Sequence, residues 1–480
     1  MTTERTTAAP RTAAPPVDLR APLASSLPEV RRAAVLPAGF AAGASTAGIK
    51  ANGKPDLAVI LATGGPAPAA AVFTTNQVVG APVQVSRANL AATRPAATGA
   101  ARATAREGDS FGHAAAIVST SGCANAATGL PGLADQVAIA QAAAGRLGVD
   151  PLAVLCLSTG VIGTRLPVAR VIAGLDALGA AGLATDDEGL LAAAEALRTT
   201  DAVVKMAATR VDLPGPRGVP AAVTVAGIAK GVGMIHPRMA TMLAVVLTDA
   251  VVDPATLHGF LRAATVRTWN QLSVDGDTST NDTVFLLASG ASAAAPVLPG
   301  SAAAATLGSA IEAVARSLAR QQAADGEGAT TLLTCQVSGA RDDVDARAVA
   351  RAVVSSSLVK AAAHGRDPNW GRIAGAAGNA RLGEVRLLEN AGLAHAEACA
   401  RAGAPVTLDP ATLRIAIAGN LVYDGPAGGP TVFDRAATRA AMTGPEILVR
   451  LDLGLGAGTG EAFGCDLTEQ YVIENAEYTT

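Results

Sequence analysis

The most informative segment of the chain is Lys230-Gly-Val-Gly-Met-Ile-His-Pro-Arg-Met-Ala-Thr-Met-Leu243. Gly231 and Gly233 permit backbone conformations that are closed to other residues, and Pro237 fixes φ where the chain enters an apolar run. Thr241 stands inside that run, between Ala240 and a methionine. A lone threonine in such a place is ordinarily a β-branched strand residue. A reactive hydroxyl is the alternative.

The amino-acid sequence of this segment, together with Thr248-Asp-Ala250, resembles the self-processing site of the ornithine acetyltransferase (glutamate N-acetyltransferase) family. Other segments carry the same resemblance in order along the chain. They are Gly48-Ile-Lys50, Phe73-Thr-Thr-Asn76, Ser121-Gly-Cys-Ala-Asn-Ala126, Ser158-Thr-Gly-Val-Ile-Gly163, Asp275-Gly-Asp-Thr-Ser-Thr-Asn-Asp-Thr283, Asp325-Gly-Glu-Gly-Ala-Thr330, Gly365-Arg-Asp-Pro-Asn-Trp-Gly-Arg-Ile373 and Gly464-Cys-Asp-Leu-Thr468. The match runs from about residue 38 to the C-terminus, so it does not depend on one motif.

The resemblance implies cleavage between Ala240 and Thr241, with Thr241 as the nucleophile. A threonine hydroxyl needs a neighbouring base to react at neutral pH. Cleavage would supply one, because the freed α-amino group of Thr241 has a pKa of about 7.7–8.0 and can take the hydroxyl proton. The cleavage itself would be an attack of the Thr241 hydroxyl on the Ala240 carbonyl, giving an ester that water opens.

Both cleavage and acyl transfer pass through an oxyanion, which needs fixed hydrogen-bond donors. The Ser158-Thr159-Gly160 segment after a predicted strand offers a hydroxyl and an N–H. By itself this segment is more typical of an ordinary strand-to-loop turn. The family resemblance places the oxyanion hole at Thr159 and Gly160.

The substrates implied by the resemblance are N2-acetyl-L-ornithine as acetyl donor and L-glutamate as acceptor, with acetyl-CoA as a further candidate donor. A charged amino acid needs opposite charges in its site. Lys230 could meet the α-carboxylate and Glu327 the ornithine amine; the ordinary alternatives are a solvated lysine and a turn carboxylate. The full set of predicted substrate contacts is Thr199, Lys230, Thr241, Glu327, Asn475 and Thr480, and Thr200 is an equal alternative to Thr199.

His236 lies five residues before Thr241 and raises the alternative of a histidine base, as in a serine–histidine pair. Self-processing of the predicted kind needs no histidine. The sequence leaves the role of His236 open.

Composition excludes several classes of protein. The 480 residues carry 37 basic and 40 acidic side chains, a net charge of −3, which is unlike a nucleic-acid-binding surface. Five cysteines show no metal-ligand spacing, so we predict no metal and a reducing, cytoplasmic location. No apolar run is long enough to span a membrane.

The order of apolar and helical patterns predicts an α/β fold. Predicted strands include 56–62, 81–85, 153–157 and 385–388, and predicted helices include 132–147, 254–267 and 302–323. Residues 1–34 are predicted to be a disordered tail. The resemblance implies a layered αββα sandwich like that of N-terminal-nucleophile hydrolases, with an alpha chain (35–240) and a beta chain (241–480) in a heterotetramer of two alpha and two beta chains.

Several positions depart from the family pattern, among them Arg238, Val232, Thr120, Cys123 and Thr331. None is a predicted nucleophile, oxyanion donor or charged substrate contact. They leave open whether the chain serves arginine biosynthesis or a paralogous pathway. Two competing functions are a self-processing aminopeptidase or amidase that hydrolyses its acyl-enzyme, and an unprocessed binding protein.

Overall fold

The computed structural model describes residues 18–19, 21–23, 25–95, 110–179, 182–236 and 242–476. Its strands are β1 Phe40–Ser45, β2 Leu57–Ala62, β3 Ala67–Phe73, β4 Ser110–Ala114, β5 Ala116–Cys123, β6 Val154–Val161, β7 Lys205–Pro214, β8 Pro220–Lys230, β9 Leu243–Thr248, β10 Leu272–Ser273, β11 Thr283–Ala288, β12 Leu332–Ala340, β13 Arg414–Ile417, β14 Asn420–Asp424, β15 Gly429–Pro430, β16 Glu446–Asp452 and β17 Gly458–Cys465.

The helices alternate with these strands along the chain. They are α1 Ala81–Ala92, α2 Gly129–Leu147, α3 Val168–Leu178, α4 Asp187–Leu197, α5 Pro254–Arg267, α6 Ala302–Ala324, α7 Asp343–Ser355, α8 Ser357–His364, α9 Trp370–Gly378, α10 Val385–Asn390, α11 His395–Arg401, α12 Arg435–Ala441 and α13 Glu469–Ala476. Within the described ranges, no helix combines the length and the apolar character needed to cross a bilayer.

Two sheets face each other and form the centre of the molecule. The first has the strand order β1-β2-β5-β6, and the second has the order β4-β3-β11-β9-β8-β7. Side chains alternate between the two faces of a strand, so Ile60 of β2 and Val245 of β9 enter the core between the sheets. Val59, on the other face of β2, packs in the core of the outer helices α2 and α3.

The second sheet is covered on its outer face by α5 and α6. Val246 of β9 lies there in one core with Leu261 of α5 and Leu318 of α6. The order of layers is therefore helices, sheet, sheet, helices, which confirms the predicted αββα sandwich.

The remaining strands form a third sheet in the order β10-β17-β12-β16-β13-β14-β15. It has its own core, in which Val337 of β12 packs with Val349 and Val353 of α7. Phe463 of β17 belongs instead to the core around α6. The third sheet is thus attached to the sandwich through α6.

Strands from both sides of the predicted cleavage position pair in the second sheet. β8 runs antiparallel to β9, with Lys230 opposite Leu243 and Val225 opposite Thr248. The segment 231–242 leaves the sheet between these two paired positions. The predicted alpha and beta chains are consequently joined by a continuous ladder and a shared core.

Three expectations from the sequence differ from the structure. Ala81–Val85 begins helix α1 rather than forming a strand, because Pro82 occupies its first turn, where proline is well suited. Val385–Leu388 lies in helix α10, with the N–H of Leu388 bonded to the carbonyl of Glu384. Both segments are apolar runs too short to show a helical period.

The prediction that residues 1–34 form a disordered tail is wrong for residues 25–34. Residues 1–17, 20 and 24 lie outside the described part, but residues 25–34 lie against the folded body. Arg31 exchanges backbone hydrogen bonds with Ala208 at 2.8 and 2.9 Å, and the Glu29 carbonyl accepts from Thr209 Oγ1 at 2.7 Å. These backbone contacts need no apolar pattern, which explains why composition alone misplaced the boundary.

The core between the sheets supports a stability prediction. Phe285 is fully buried there, edge-to-face with Phe73 at 6.0 Å between ring centroids. Phe285→Ala should lower the free energy of unfolding by about 3–5 kcal/mol, measured by urea denaturation. Val432→Ala, at a fully exposed position, is the control and should change it by less than about 0.5 kcal/mol. Equal effects in the two variants would contradict the proposed core.

Candidate active site

A cavity of about 300 Å³ lies where β6 and β8 end. The predicted site residues that line it are Thr159, Gly160, Thr199, Lys230, Glu327 and Asn475. They come from five separate places in the sequence. Met242 and Leu243 also line it. The predicted nucleophile Thr241, its neighbour Ala240 and the contact Thr480 lie outside the described residues.

Thr159 and Gly160 lie within the end of β6 rather than in a turn after it. The pairing of β5 with β6 shifts register at Gly122 and Cys123, and such bulges re-aim neighbouring groups. Gly160 has φ +129°, and a Cβ there would lie 2.3 Å from the Gly122 carbonyl carbon. Only glycine fits this position, so the sequence SerThrGly specifies the irregular end of the strand.

Lys230 is the last residue of β8 and is only 9% exposed. Its Nζ donates to Thr159 Oγ1 at 3.1 Å. Since the threonine oxygen accepts this bond, its own hydrogen stays available for another acceptor. Burial lowers the pKa of Lys230, while the negative charges of Asp201 and Glu327 oppose this change. The cavity therefore holds a desolvated ammonium beside a hydroxyl donor.

Asp201 is a central residue of the site that the sequence analysis did not single out. It is 4% exposed and accepts from Lys205 Nζ at 2.6 Å, Gly231 N at 2.8 Å and Thr199 N at 3.1 Å. Burial alone would raise the pKa of this carboxyl, but Lys230 and Lys205 outweigh burial and hold the pKa well below its usual range. Its position directly after the candidate substrate contacts Thr199 and Thr200 was the available signal.

Glu327 brings a second carboxylate to the cavity. Its Oε1 accepts from Thr200 Oγ1 at 3.1 Å and its Oε2 from Asn475 Nδ2 at 2.9 Å. A Cβ at Gly233 would lie 2.1 Å from Glu327 Oε2, so the segment 231–242 can pass this carboxylate only with glycine at 233. The C-terminal helix α13 thereby reaches the site through Asn475.

Thr199 and Thr200 both line the cavity, so the structure does not choose between them. They differ in their contacts. The Thr200 hydroxyl donates a hydrogen bond to Glu327, whereas the Thr199 backbone N–H donates one to Asp201. Each threonine is thus attached to one of the two carboxylates of the site.

Asn281 is a further residue whose role the sequence analysis missed. Its Nδ2 donates to the carbonyls of Ala124 at 2.6 Å and Ser158 at 2.9 Å. Asn281 therefore connects the loop after β5 to the C-terminal part of β6, next to Thr159. The residue stands inside the Asp275–Thr283 motif, which was recognised but given no function.

His236 lines a second cavity and not the one described above. Its Nδ1 lies 3.0 Å from Ser273 Oγ, and its carbonyl accepts from Thr278 Oγ1. These contacts orient the end of the described stretch 231–236, five residues before Thr241.

The departures from the family pattern are accommodated close to the site. Thr120 Oγ1 lies 2.7 Å from Ser158 Oγ, and Cys123 Sγ donates to the Thr164 carbonyl at 3.2 Å. Val232 is buried, and its carbonyl accepts from the Glu327 N–H. Arg238 lies outside the described residues.

Comparison with known proteins shows the family of this chain. The model of the ArgJ family matches residues 41–480. The chain belongs to the ArgJ family. It is similar to the arginine biosynthesis bifunctional protein ArgJ of Synechococcus sp., with 42% identity over 94% of this chain and 98% of the relative.

Two other ArgJ-family proteins show the extent of the similarity. The arginine biosynthesis bifunctional protein ArgJ of Thermus thermophilus is 41% identical over 93% of this chain and 99% of the relative. A crystal structure of ornithine acetyltransferase from Mycobacterium tuberculosis, complexed with ornithine, is 36% identical. It covers 44% of this chain and 99% of the solved chain, with a TM-score of 0.36.

The Asp201 contacts support a second stability prediction. Asp201→Asn removes the largest charge that favours the buried Lys230 ammonium and one of the two carboxylates paired with buried Lys205, so it should lower the free energy of unfolding at pH 7 by about 3–5 kcal/mol. The folded-state pKa of Asp201 lies below the unfolded value of about 3.9, so its contribution is present at neutral pH and is lost as pH falls below that value. Urea denaturation at pH 7 and pH 3 measures both effects.

Asp176→Asn is the matched control, because Asp176 forms a surface pair with Arg146 and its side chain is 56% exposed. That variant should lose less than about 1 kcal/mol. An Asp201→Asn variant as stable as the control at pH 7 would contradict the compensating role of Asp201.

Proposed function

We propose that this chain is a self-cleaving acetyltransferase that moves acetyl from N2-acetyl-L-ornithine to L-glutamate through an ester on Thr241. The observation that carries the proposal is the convergence of Lys230, Glu327, Thr159 and Gly160 on one cavity that Met242 also lines. Membership of a family whose named relatives are arginine biosynthesis bifunctional proteins supports the same reaction.

The charges of the cavity suit an amino acid with a basic side chain. The Lys230 ammonium would bind the α-carboxylate of acetylornithine, and the Glu327 carboxylate would bind the side-chain ammonium. Thr200 and Asn475 hold Glu327 from two sides, so its oxygens are oriented before a ligand arrives. Preorganisation of this kind reduces the cost of binding.

The oxyanion of each acyl transfer would be stabilised by the Thr159 hydroxyl and the Gly160 N–H. The Lys230 contact to Thr159 Oγ1 favours this role, because the ammonium polarises the hydroxyl that would donate. Lys230 would then act on the reacting carbonyl through Thr159 as well as on the substrate carboxylate. The Asn281 bridge to Ser158 keeps this strand end in place.

The proposed reaction runs in two balanced halves. The Thr241 hydroxyl attacks the acetyl carbonyl of acetylornithine, its proton passes to the Thr241 α-amine and on to the leaving ornithine nitrogen, and the acetyl ester forms. The amine of glutamate then attacks the ester, and its proton returns to the threonine oxygen as acetylglutamate leaves. Acetyl-CoA could load the same threonine by attack at its thioester.

We also propose the assembly and location that the family resemblance implies. Cleavage would leave an alpha chain (35–240) and a beta chain (241–480), held together by the β8–β9 ladder and assembled as a heterotetramer. The five cysteines are all unpaired, which suits a reducing cytoplasm.

Assay of the purified protein with acetylornithine, with and without glutamate, tests the proposal. Acetylglutamate should form with release of ornithine when glutamate is present, and ornithine release should be slow without it. Equal rates of ornithine release with and without glutamate, with free acetate as the product, would indicate hydrolysis and contradict acetyl transfer.

Thr241→Ala should abolish cleavage, because the alanine side chain has no hydroxyl to attack the Ala240 carbonyl. A denaturing gel should show one full-length chain for this variant and two fragments for the wild type. His236→Gln is the control and should still yield two fragments, since self-processing of the proposed kind uses no histidine. Cleavage of the Thr241→Ala chain at the same bond would contradict the mechanism.

Glu327→Gln should raise the KM for acetylornithine about tenfold or more, since a hydrogen bond to a charged group is worth about 1.5–3 kcal/mol. The comparison substrate is N2-acetyl-L-norvaline, which has no side-chain amine, and its KM should change little. Steady-state kinetics of both substrates measure the difference. An equal rise for the two substrates would show that Glu327 does not bind the ornithine amine.

A further inference from the structure

A second cavity of about 300 Å³ includes His236, at the end of the described stretch 231–236, in its lining. We name it the rear cavity. Its polar lining includes His236, Gln271, Arg347, Arg351, Ser355 and Arg381. Gly231 and Gly233 line the active-site cavity instead, so the stretch 231–236 borders both spaces.

The rear cavity is strongly cationic. Arg347 and Arg351 lie one turn apart on α7 and Arg381 follows α9, while the described residues of its lining include no aspartate or glutamate. Arg347 is 9% exposed, and burial lowers its pKa. Its ion-pair partner Asp343 is 3.9 Å away with a side chain that is 61% exposed. An anion in the cavity would compensate this buried charge.

Two buried oxygens in the lining lack partners in the described structure. Gln271 is 7% exposed, and its Oε1 accepts no hydrogen bond, although its Nε2 donates to the Val266 carbonyl at 3.0 Å. Ser355 Oγ is likewise unsatisfied. An unsatisfied buried polar atom is costly. The amide oxygen of Gln271 can only accept, so a ligand that satisfies it must carry an N–H or O–H donor.

The remaining wall is apolar and includes Leu382, Leu387 and Leu388. A fitting ligand is therefore small, carries a carboxylate for the arginines, presents a neutral donor to Gln271 and places carbon atoms against the leucines. A free α-ammonium group would stand among arginines with no carboxylate in the lining. These requirements select an acylated amine over a free one.

We propose that the rear cavity binds a small N-acylated amino acid, with its carboxylate on Arg347 and Arg351 and its amide N–H on Gln271 Oε1. The acetylglutamate of the proposed function belongs to this class, so the physiological identity of the ligand rests on that function. A molecule bound there would lie beside His236, five residues before the proposed nucleophile Thr241. Binding there would let the reaction product influence the stretch 231–236, which also lines the active-site cavity.

Isothermal titration of the full-length chain with N-acetyl-L-glutamate tests the proposal. Lys230→Met serves as the background, because it removes the ammonium proposed to bind carboxylates in the active-site cavity. One molecule should bind in this background. Adding Arg347→Gln should weaken binding about tenfold or more, the effect of losing a charge-assisted hydrogen bond. L-glutamate, which lacks the acyl group, should also bind about tenfold more weakly.

Arg372→Gln is the matched control, since Arg372 contacts the Leu358 carbonyl on the surface and lines neither cavity; it should leave binding unchanged. Gln271→Leu gives a second test if Arg347→Gln does not fold. Undetectable binding at millimolar ligand, equal affinities of the folded rear-cavity variant and the control, or equal affinities for glutamate and acetylglutamate would each overturn the proposal. Acetyl transfer by the wild type is measured separately, so its failure would be distinguishable.

Discussion

The buried carboxylate of Asp201 accepts hydrogen bonds from the side chain of Lys205 and from the backbones of Gly231 and Thr199. These donors belong to the start of β7, the exit from β8 and the loop after α4. The same negative charge favours the ammonium form of Lys230, which burial disfavours. Without it, Lys205 would keep the carboxylate of Asp325 at 2.6 Å, but Lys230 would lose the largest charge that favours its ammonium form. The position and the charge of Lys230 therefore both depend on this carboxylate.

The architecture would allow the chain to remain folded if it were cut at the proposed bond beside this site. The segment 231–242 leaves the second sheet from Lys230 and returns at Leu243, which lie opposite each other in the β8–β9 ladder. Cutting the proposed bond would open a connection while leaving the ladder and the cores on both faces of the sheet intact. The stretch 231–236 also lines two cavities, one with mixed charges and one with mainly positive charge. Chemistry and regulation could thus meet in one short stretch of backbone.

Sequence reasoning succeeded where a pattern reports directly on packing or on close backbone contact. The continuous apolar run of β2 predicted a buried strand, and the helix predicted over 254–267 matches the observed bounds of α5. Gly160 and Gly233 stand where no side chain fits, so their motifs were informative. It failed for α1, whose first five residues resemble a buried strand, and for Asp201, whose partners are distant in sequence. Such long-range contacts leave no local pattern, and the rear cavity was invisible for the same reason.

The central claim is that a new N-terminal threonine, created by cleavage before residue 241, carries the acetyl group. Intact-protein mass spectrometry after brief mixing with N2-acetyl-L-ornithine tests it most directly. The account predicts two polypeptides that divide between Ala240 and Thr241, with only the fragment beginning at Thr241 heavier by one acetyl group, and loss of that mass when glutamate is added. An active preparation consisting of a single intact polypeptide, or an acetyl group on the other fragment, would contradict it.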